Sequence, residues 1–486
     1  MKKTYIYILV AVLTAGFSLS SCKKYLDIND NPNTADRVDP KLLVSFAVTS
    51  YVNLRSSGDL YIPFALAGQS IATGGNNPTG WGVPSEEQYN ISSFSNGNSW
   101  RGYYTSIGAN LKEAIKLAES STPVNNNAAA QSKVILAMAA YEITTVFGDV
   151  PFSEAWNVDI PYPKFDAQKD VLEGCLKLLD DALAQFDDAS PLKITDYDLF
   201  KYNGDLNKWR RLANSVKLRI LLTMVDKDPT KATAIGTLIN ANNFINSAAD
   251  NCLVAYQDIS GKKNPKYALS EQYNAGRSFF FGNKYVVDFM RDLNDPRLPK
   301  FFTKPVEAAD YNGVENGATA DNKVHVRISS SLQSATQPEV LFSYQEQLFF
   351  EAEVQARGIG VPVNLVNATA LYRKAVAESC KFYGVDETTS NGFGNGLPAL
   401  ASVAAPVKLI QMHHWVDKMD SGLDAFTQWR RSGSEGNETP ALKLPIGAPA
   451  GALFRRFEYP ITNEISTNPN APKNRIRFNE KMWFDL

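Results

Sequence analysis

The chain has 486 residues, 44% hydrophobic and 21% charged, which excludes a disordered or multi-span membrane protein and gives enough apolar material for a large interior. The 49 basic and 51 acidic residues leave a net charge of -2, and removal of a leader carrying Lys2 and Lys3 makes the body more acidic still, which argues against nucleic acid. Four cysteines without a CxxC pair and only three histidines speak against a disulfide scaffold and against zinc.

The N-terminus runs Lys2-Lys3, then an apolar stretch from Tyr5 to Phe17, then Leu19-Ser20-Ser21-Cys22. This order reads as a signal peptide over residues 1–21 whose cut leaves Cys22 first, and the tetrapeptide matches a bacterial lipobox. An ordinary secretory leader with an incidental cysteine is the other reading. The apolar stretch is shorter than the roughly 20 residues a permanent span needs. Residues 22–40, rich in Asp, Asn and Pro, suit an extended tether for a lipidated Cys22. Cys175, Cys252 and Cys380 remain, an odd number that allows at most one disulfide. Cys175 and Cys380 fall on apolar helical stripes, where a thiol acts as a small hydrophobe.

From residue 41 onward the pattern is helical, with apolar residues three and four apart. Helices are predicted at 41–55, 99–120, 132–147, 167–187, 205–226, 230–242, 338–357, 366–383, 403–418 and 421–431. Trp209, Leu212, Ala213, Val216 and Ile220 form one stripe. Leu172, Cys175, Leu179, Ala182, Leu183 and Phe186 form another, and Tyr372, Ala375, Val376, Ser379 and Tyr383 a third. Residues 132–147 are apolar nearly all round and should be the most buried. Short breaks between helices suggest stacked hairpins, so 41–486 is expected to be one all-α domain, although no regular 34-residue tetratricopeptide period is readable. Three long polar segments interrupt the helices, at 68–98, 256–282 and 305–337, and loops of such length are usually functional or disordered.

No H-E-x-x-H, G-x-S-x-G, Walker A or G-x-G-x-x-G motif occurs. Gly392-Phe393-Gly394-Asn395-Gly396 reads as a flexible turn. His413, His414 and Asp417 are read as structural, because adjacent histidines diverge by about 100° on a helix. Adjacent carboxylates such as Glu86-Glu87, Asp180-Asp181 and Asp187-Asp188 do not show the facing geometry of glycosidase chemistry and read as solvated faces or helix ends. Neither catalytic residues, a metal nor a cofactor is assigned.

Several phrases in order resemble the SusD/RagB family of outer-membrane lipoproteins, in particular its second SusD-like branch. They are Cys22 with Lys24-Tyr25-Leu26-Asp27 and Asn31-Pro32-Asn33, Trp100 with Tyr103 and Tyr104, and Phe147-Gly148-Asp149-Val150-Pro151-Phe152. Trp209 with Ala213-Asn214-Ser215-Val216-Lys217-Leu218-Arg219, Asp295-Pro296-Arg297-Leu298, Glu351-Ala352-Glu353, Trp429-Arg430-Arg431-Ser432-Gly433 and Arg455-Arg456-Phe457-Glu458-Tyr459-Pro460 continue the series. The resemblance implies an all-helical, tetratricopeptide-like scaffold on the cell surface. It implies a non-enzymatic role: capture of glycan or peptide and delivery to a SusC-like TonB-dependent transporter in the outer membrane. Trp209, Asn214, Trp429 and Arg430 would then be framework. His413-His414-Trp415 and Gln345 depart from the family pattern. A hydrolase without a recognisable motif is the alternative.

A sugar presents apolar C–H faces ringed by hydroxyls, so its binder needs aromatic platforms beside amide and guanidinium donors. The segments Gly74–Tyr89 and Tyr267–Phe281 supply both. The candidate ligand residues are Trp81, Asn76, Asn77, Tyr89, Tyr267, Tyr273, Arg277 and Phe279. Within Phe279–Phe281, consecutive phenylalanines suit burial better than a hydroxylated ligand.

Overall fold

A computed structural model describes residues 38–75, 86–269, 278–449, 451, 453–460, 463–474 and 476–486. The first helix, α1 (Pro40–Ser56), turns Val44, Ala47, Val48, Tyr51, Val52 and Arg55 inward, and the short α2 (Tyr61–Ala67) is buried throughout. Helix α3 (Ser93–Arg101) starts at a Ser92 cap, runs into a π-helical turn at Gly102–Gly108 and continues as α4 (Ala109–Ser120). The helical course therefore begins six residues before the predicted start at 99. Helix α5 (Asn126–Phe147) is buried over nearly its whole length, as its uniform apolarity requires.

Helices α6 (Gln168–Gln185) and α7 (Leu206–Met224) bury the stripes read from sequence. Asp205 caps α7 by accepting from the backbone N–H groups of Asn207 and Lys208. Next come α8 (Ala232–Ala241), α9 (Lys284–Asp292) and the short α10 (Leu298–Phe301). Helices α11 (Tyr344–Arg357) and α12 (Leu365–Phe382) form a hairpin, then α13 (Glu387–Gly396), α14 (Pro406–Asp417), α15 (Gly422–Arg430) and α16 (Asn463–Ser466) complete the series. Helices α4 with α5, α5 with α6, and α11 with α12 pack as neighbouring pairs within one unit from Pro40 to Leu486.

Three expectations change. Glu86 and Glu87, expected on a solvated face or helix end, are buried, with Glu87 accepting from Thr73 N at 3.0 Å. Residues Glu339–Phe342, expected to open the 338–357 helix, are strand β6, antiparallel to β2 (Cys252–Val254). Ser343 then caps α11 by accepting from Glu346 N, so the helix cannot start earlier. The run Gly392–Gly396, expected to be a turn, lies in α13, nucleated by an Asp386 cap on Thr389 N. A Cβ at Gly394 would lie 2.6 Å from Arg373 O, so the missing side chain lets α13 press onto α12.

The long polar segments carry a small sheet. Strands β1 (Ile71–Ala72), β3 (Phe281–Gly282), β5 (Arg327–Ile328) and β4 (Phe302–Thr303) lie in that order, every pair antiparallel. Ile71 pairs with Gly282 and Ala72 with Phe281, which joins the bases of the two segments named as ligand loops.

The interior is crossed by ion pairs. Arg55 of α1 donates to Glu142 of α5, to Glu339 of β6 at 3.0 Å and to Asp424 of α15 at 2.7 Å, all among buried or nearly buried groups. Arg219 and Lys418 share Glu346, each at 2.6 Å. Arg431 grips both oxygens of Glu353 at 3.0 and 2.9 Å. Trp209, Trp429 and Arg430 are fully buried, and Arg430 donates to the carbonyls of Thr145 and Arg455 at 2.8 Å each. Asn214 donates to Asn243 O at 3.0 Å. His413 sits between Phe289 and Tyr372, and burial lowers its pKa to about 3. His414 stacks on Phe349 at 5.0 Å. Cys175, Cys252 and Cys380 are buried free thiols, with burial pushing Cys380 up to about 12.

Candidate functional site

A large cleft lies between the outer face of α1 and the segment 255–268 that follows β2. It encloses about 1020 Å³. Past Val254 the chain makes a tight turn in which Gln257 N donates to Lys262 O and Lys262 N to Ile259 O, both at 2.9 Å. Gly261 supplies the left-handed residue of that turn at φ +77°. Asn264 then anchors the returning chain: its amide donates to Gln337 O at 2.8 Å, its backbone N to Ala335 O at 2.9 Å, and its Oδ1 accepts from Lys266 N at 2.8 Å. Lys266 is buried against Asp420 at 2.9 Å, and burial lifts the Asp420 carboxyl to about 6 against the pull of Lys266.

This anchoring fixes two tyrosines in the cleft. Tyr267 is half-buried with the Lys263 ammonium 4.2 Å from its ring centroid, and Tyr256 donates from its hydroxyl to Asn53 Oδ1 of α1 at 2.9 Å. Val52, Leu199 and Val254 contribute apolar lining, while Thr49, Asn53, Gln257 and Ser260 line it with hydroxyls and amides. Asp258 is the one carboxylate among the described lining residues, and it is paired with Lys263 at 2.7 Å. Cleavage of a glycosidic bond needs two facing acids. The chemistry the described lining offers is tyrosine rings beside hydroxyl and amide groups.

A second hollow of about 390 Å³ opens over β4 and β5. Arg327 crosses it, donating to Ser278 O at 2.7 Å and Asn322 Oδ1 at 2.6 Å, with its guanidinium 4.2 Å from the Phe281 ring centroid. The loop base beside it is held by Ala320 N donating to Gly74 O at 2.9 Å. Phe279 N donates to Leu269 O at 3.2 Å, so the two hollows flank one closed loop base.

The residues singled out from sequence divide three ways. Tyr267 lines the large cleft. Tyr89 is not a platform: it is 4% exposed, with its ring 5.8 Å from both Phe454 and Phe478, because two C-terminal aromatics close over it. Phe279 is partly buried on the core that takes up Phe280, as expected for the phenylalanine run. Trp81, Asn76, Asn77, Tyr273, Arg277 and Cys22 lie outside the described residues. Tyr256 and Asn53 were missed. Tyr256 opens the long polar segment at 256–282, and that position was the available signal; nothing in the helical pattern of α1 distinguished Asn53. Among the described residues no group of three His, Cys, Asp or Glu gathers to hold a metal ion.

The structure thus carries an aromatic, amide-lined cleft on a helical scaffold. The model of a second SusD-like family, described as starch-binding associating with outer membrane, matches residues 69–460, and the chain belongs to that family. No curated protein matches it. Among solved structures, a chitin-binding protein is similar at 22% identity over 92% of this chain and 100% of its own, with a TM-score of 0.73. A SusD homolog from Parabacteroides distasonis gives 18% identity, 92% and 97% coverage, and 0.74. A SusD homolog from Bacteroides fragilis gives 23%, 92% and 99%, and 0.71. These likenesses establish the SusD-like fold.

Proposed function

We propose that the protein captures a glycan in the Tyr256–Tyr267 cleft and passes it to a SusC-like TonB-dependent transporter, from a position on the cell surface held by lipid on Cys22. The observation that carries the glycan reading is the cleft itself, with two tyrosine rings, hydroxyl and amide donors beside them, and a single, already paired carboxylate. The family's association with the outer membrane supports the location. Trp81, Asn76, Asn77, Tyr273 and Arg277 are further candidate ligand residues, while the buried Tyr89 and the partly buried Phe279 serve packing. Residues 1–21 are removed, residues 22–40 form the tether up to the Pro40 that opens α1, and the protein catalyses nothing.

Calorimetric titration of the mature protein with starch-type and chitin-type oligosaccharides tests the reading. Tyr267→Ala should weaken binding about tenfold, the equivalent of about 1.4 kcal/mol of lost ring contact, at an unchanged melting temperature. Binding of a peptide ligand alone, or turnover of a bound oligosaccharide, would overturn it. Co-purification with a transporter in mild detergent tests the partner, and recovery of free monomer beside an intact transporter would count against that step.

A further inference from the structure

Helix α1 carries a second stripe besides the one it buries. Leu42, Phe46, Thr49 and Asn53 are spaced i, i+4, i+7 and i+11, so they fall on one line along the helix, and all four face solvent. The C-terminal pair, Thr49 and Asn53, lines the large cleft. The N-terminal pair continues out of it as bare apolar surface, with Leu42 45% and Phe46 54% exposed. At 1.5 Å per residue the line from Asn53 to Leu42 is about 16 Å long.

A second strip of chain follows the same course. Leu199 lines the cleft with Thr49, and two residues earlier Tyr197 stands 58% exposed near the start of α1, with the Lys41 ammonium 5.8 Å from its ring centroid. Tyr197 holds φ at +62°, a conformation that costs a tyrosine energy and that the surrounding chain must impose. The effect is a ring displayed beside the α1 stripe. Phe46 and Tyr197 thus extend outward the series begun by Tyr256 and Tyr267 within the cleft.

We propose that the binding site is longer than the cleft, and that a polymeric glycan threads from Tyr267 and Tyr256 along α1 to outer platforms at Phe46 and Tyr197. This rests on the glycan reading of the cleft and adds chain length to it. The surface is continuous with the cleft, narrow, and polar at Thr49 and Asn53 where it enters; a docked protein domain would want a broad apolar patch with a polar rim. A linear chain of rings, each with an apolar face and hydroxyl edges, matches a single file of aromatics with the Asn53 amide as donor between them and the Thr49 hydroxyl, whose hydrogen goes to Ser45 O at 2.8 Å, as acceptor.

The test is a length series, measured by calorimetry on the mature protein with dimers and heptamers of starch-type and chitin-type sugars. The heptamer of the recognised sugar should bind at least about tenfold more tightly than its dimer. The double variant Phe46→Ala, Tyr197→Ala should lose that gain, with dimer binding and melting temperature unchanged, while Tyr267→Ala should weaken both lengths. If the double variant keeps the gain, the extension is wrong and the cleft reading stands. If heptamer and dimer bind equally and Tyr267→Ala still weakens both, the extension again falls alone. If no sugar of either length binds, the glycan reading falls and takes the extension with it. Loss of a co-purifying protein from the double variant, with the length gain retained, would make this face a protein contact and overturn the proposal.

Discussion

Glu86 stands where the first of the two segments named from sequence as ligand loops rejoins the body, and its buried surroundings disfavour the charge on its carboxyl. Burial, with the neighbouring Asp59 carboxylate adding to it, raises its pKa from an ordinary 4.5 to about 7, although Ser92 backbone donation opposes the rise. Asp59 is itself committed to Ser95 Oγ at 2.9 Å and Asn98 Nδ2 at 3.1 Å, so it cannot turn away. A carboxyl raised in the folded state binds its proton more tightly there than in the unfolded chain. Its contribution is therefore fully present below about pH 4.5, declines as pH rises from there to about 7, and is gone above. The rise from 4.5 to about 7 corresponds to about 3 kcal/mol. Glu86→Gln keeps the shape and removes the charge, so the variant should match the parent at pH 4 and exceed it by up to about 3 kcal/mol at pH 8. Urea unfolding of both proteins across this range isolates Glu86 together with its coupling to Asp59, since the titrations of groups distant from both cancel in the difference. A constant difference from pH 4 to pH 8 would refute the reasoning.

Glu353→Gln leaves Arg431 buried with half a partner and should cost about 3–5 kcal/mol in urea unfolding near neutral pH. Burial opposes its ionisation, yet Arg431 and Arg357 hold Glu353 at about 2, so the deficit should shrink as pH falls from about 4.5 toward 2; a pH-independent deficit would exclude the charge as its source. Gly236→Ala would place a methyl 2.2 Å from Gly360 O, and that backbone clash, about 1–3 kcal/mol, should exceed the roughly 1 kcal/mol that alanine gains in a helix. The melting temperature should fall, and a rise would show that the α8–Gly360 contact is loose. Cys22→Ala should release the protein from the membrane fraction, since several acyl chains anchor firmly where one is marginal; unchanged retention would discard the lipid anchor.

The helices were legible because each buries one stripe, and a stripe is a local pattern. Trp209, Leu212, Ala213, Val216 and Ile220 needed no partner to be named as a core face. Strand β6 was not legible, because Glu339-Val340-Leu341-Phe342 is a short apolar run that extends a helical pattern without a break; its partner Cys252–Val254 lies far away in sequence. Helix α13 was hidden by its glycines, whose use depends on how near α12 approaches. The candidate site was half legible. Aromatic loops could be found from composition, and Tyr267 did prove to line a cleft. Whether a ring is platform or packing depends on what covers it, and Tyr89 is covered by Phe454 and Phe478, more than 360 positions on. Asn53 failed to register for the reverse reason: an exposed amide on a helix acquires meaning only once Tyr256 is seen to bond it.

The charges gathered around Arg55 have a bearing on how the chain reaches its final form. Glu142 lies in the first third of the sequence and Glu339 and Asp424 in the last third, and all three meet on one buried guanidinium. A chain cut short before α15 would keep Glu142 and Glu339 on the guanidinium and lack Asp424, so one buried N–H group of Arg55 would lose its acceptor. The cost of that loss would fall on an arginine near the opposite end of the sequence, which ties the last helices to the first.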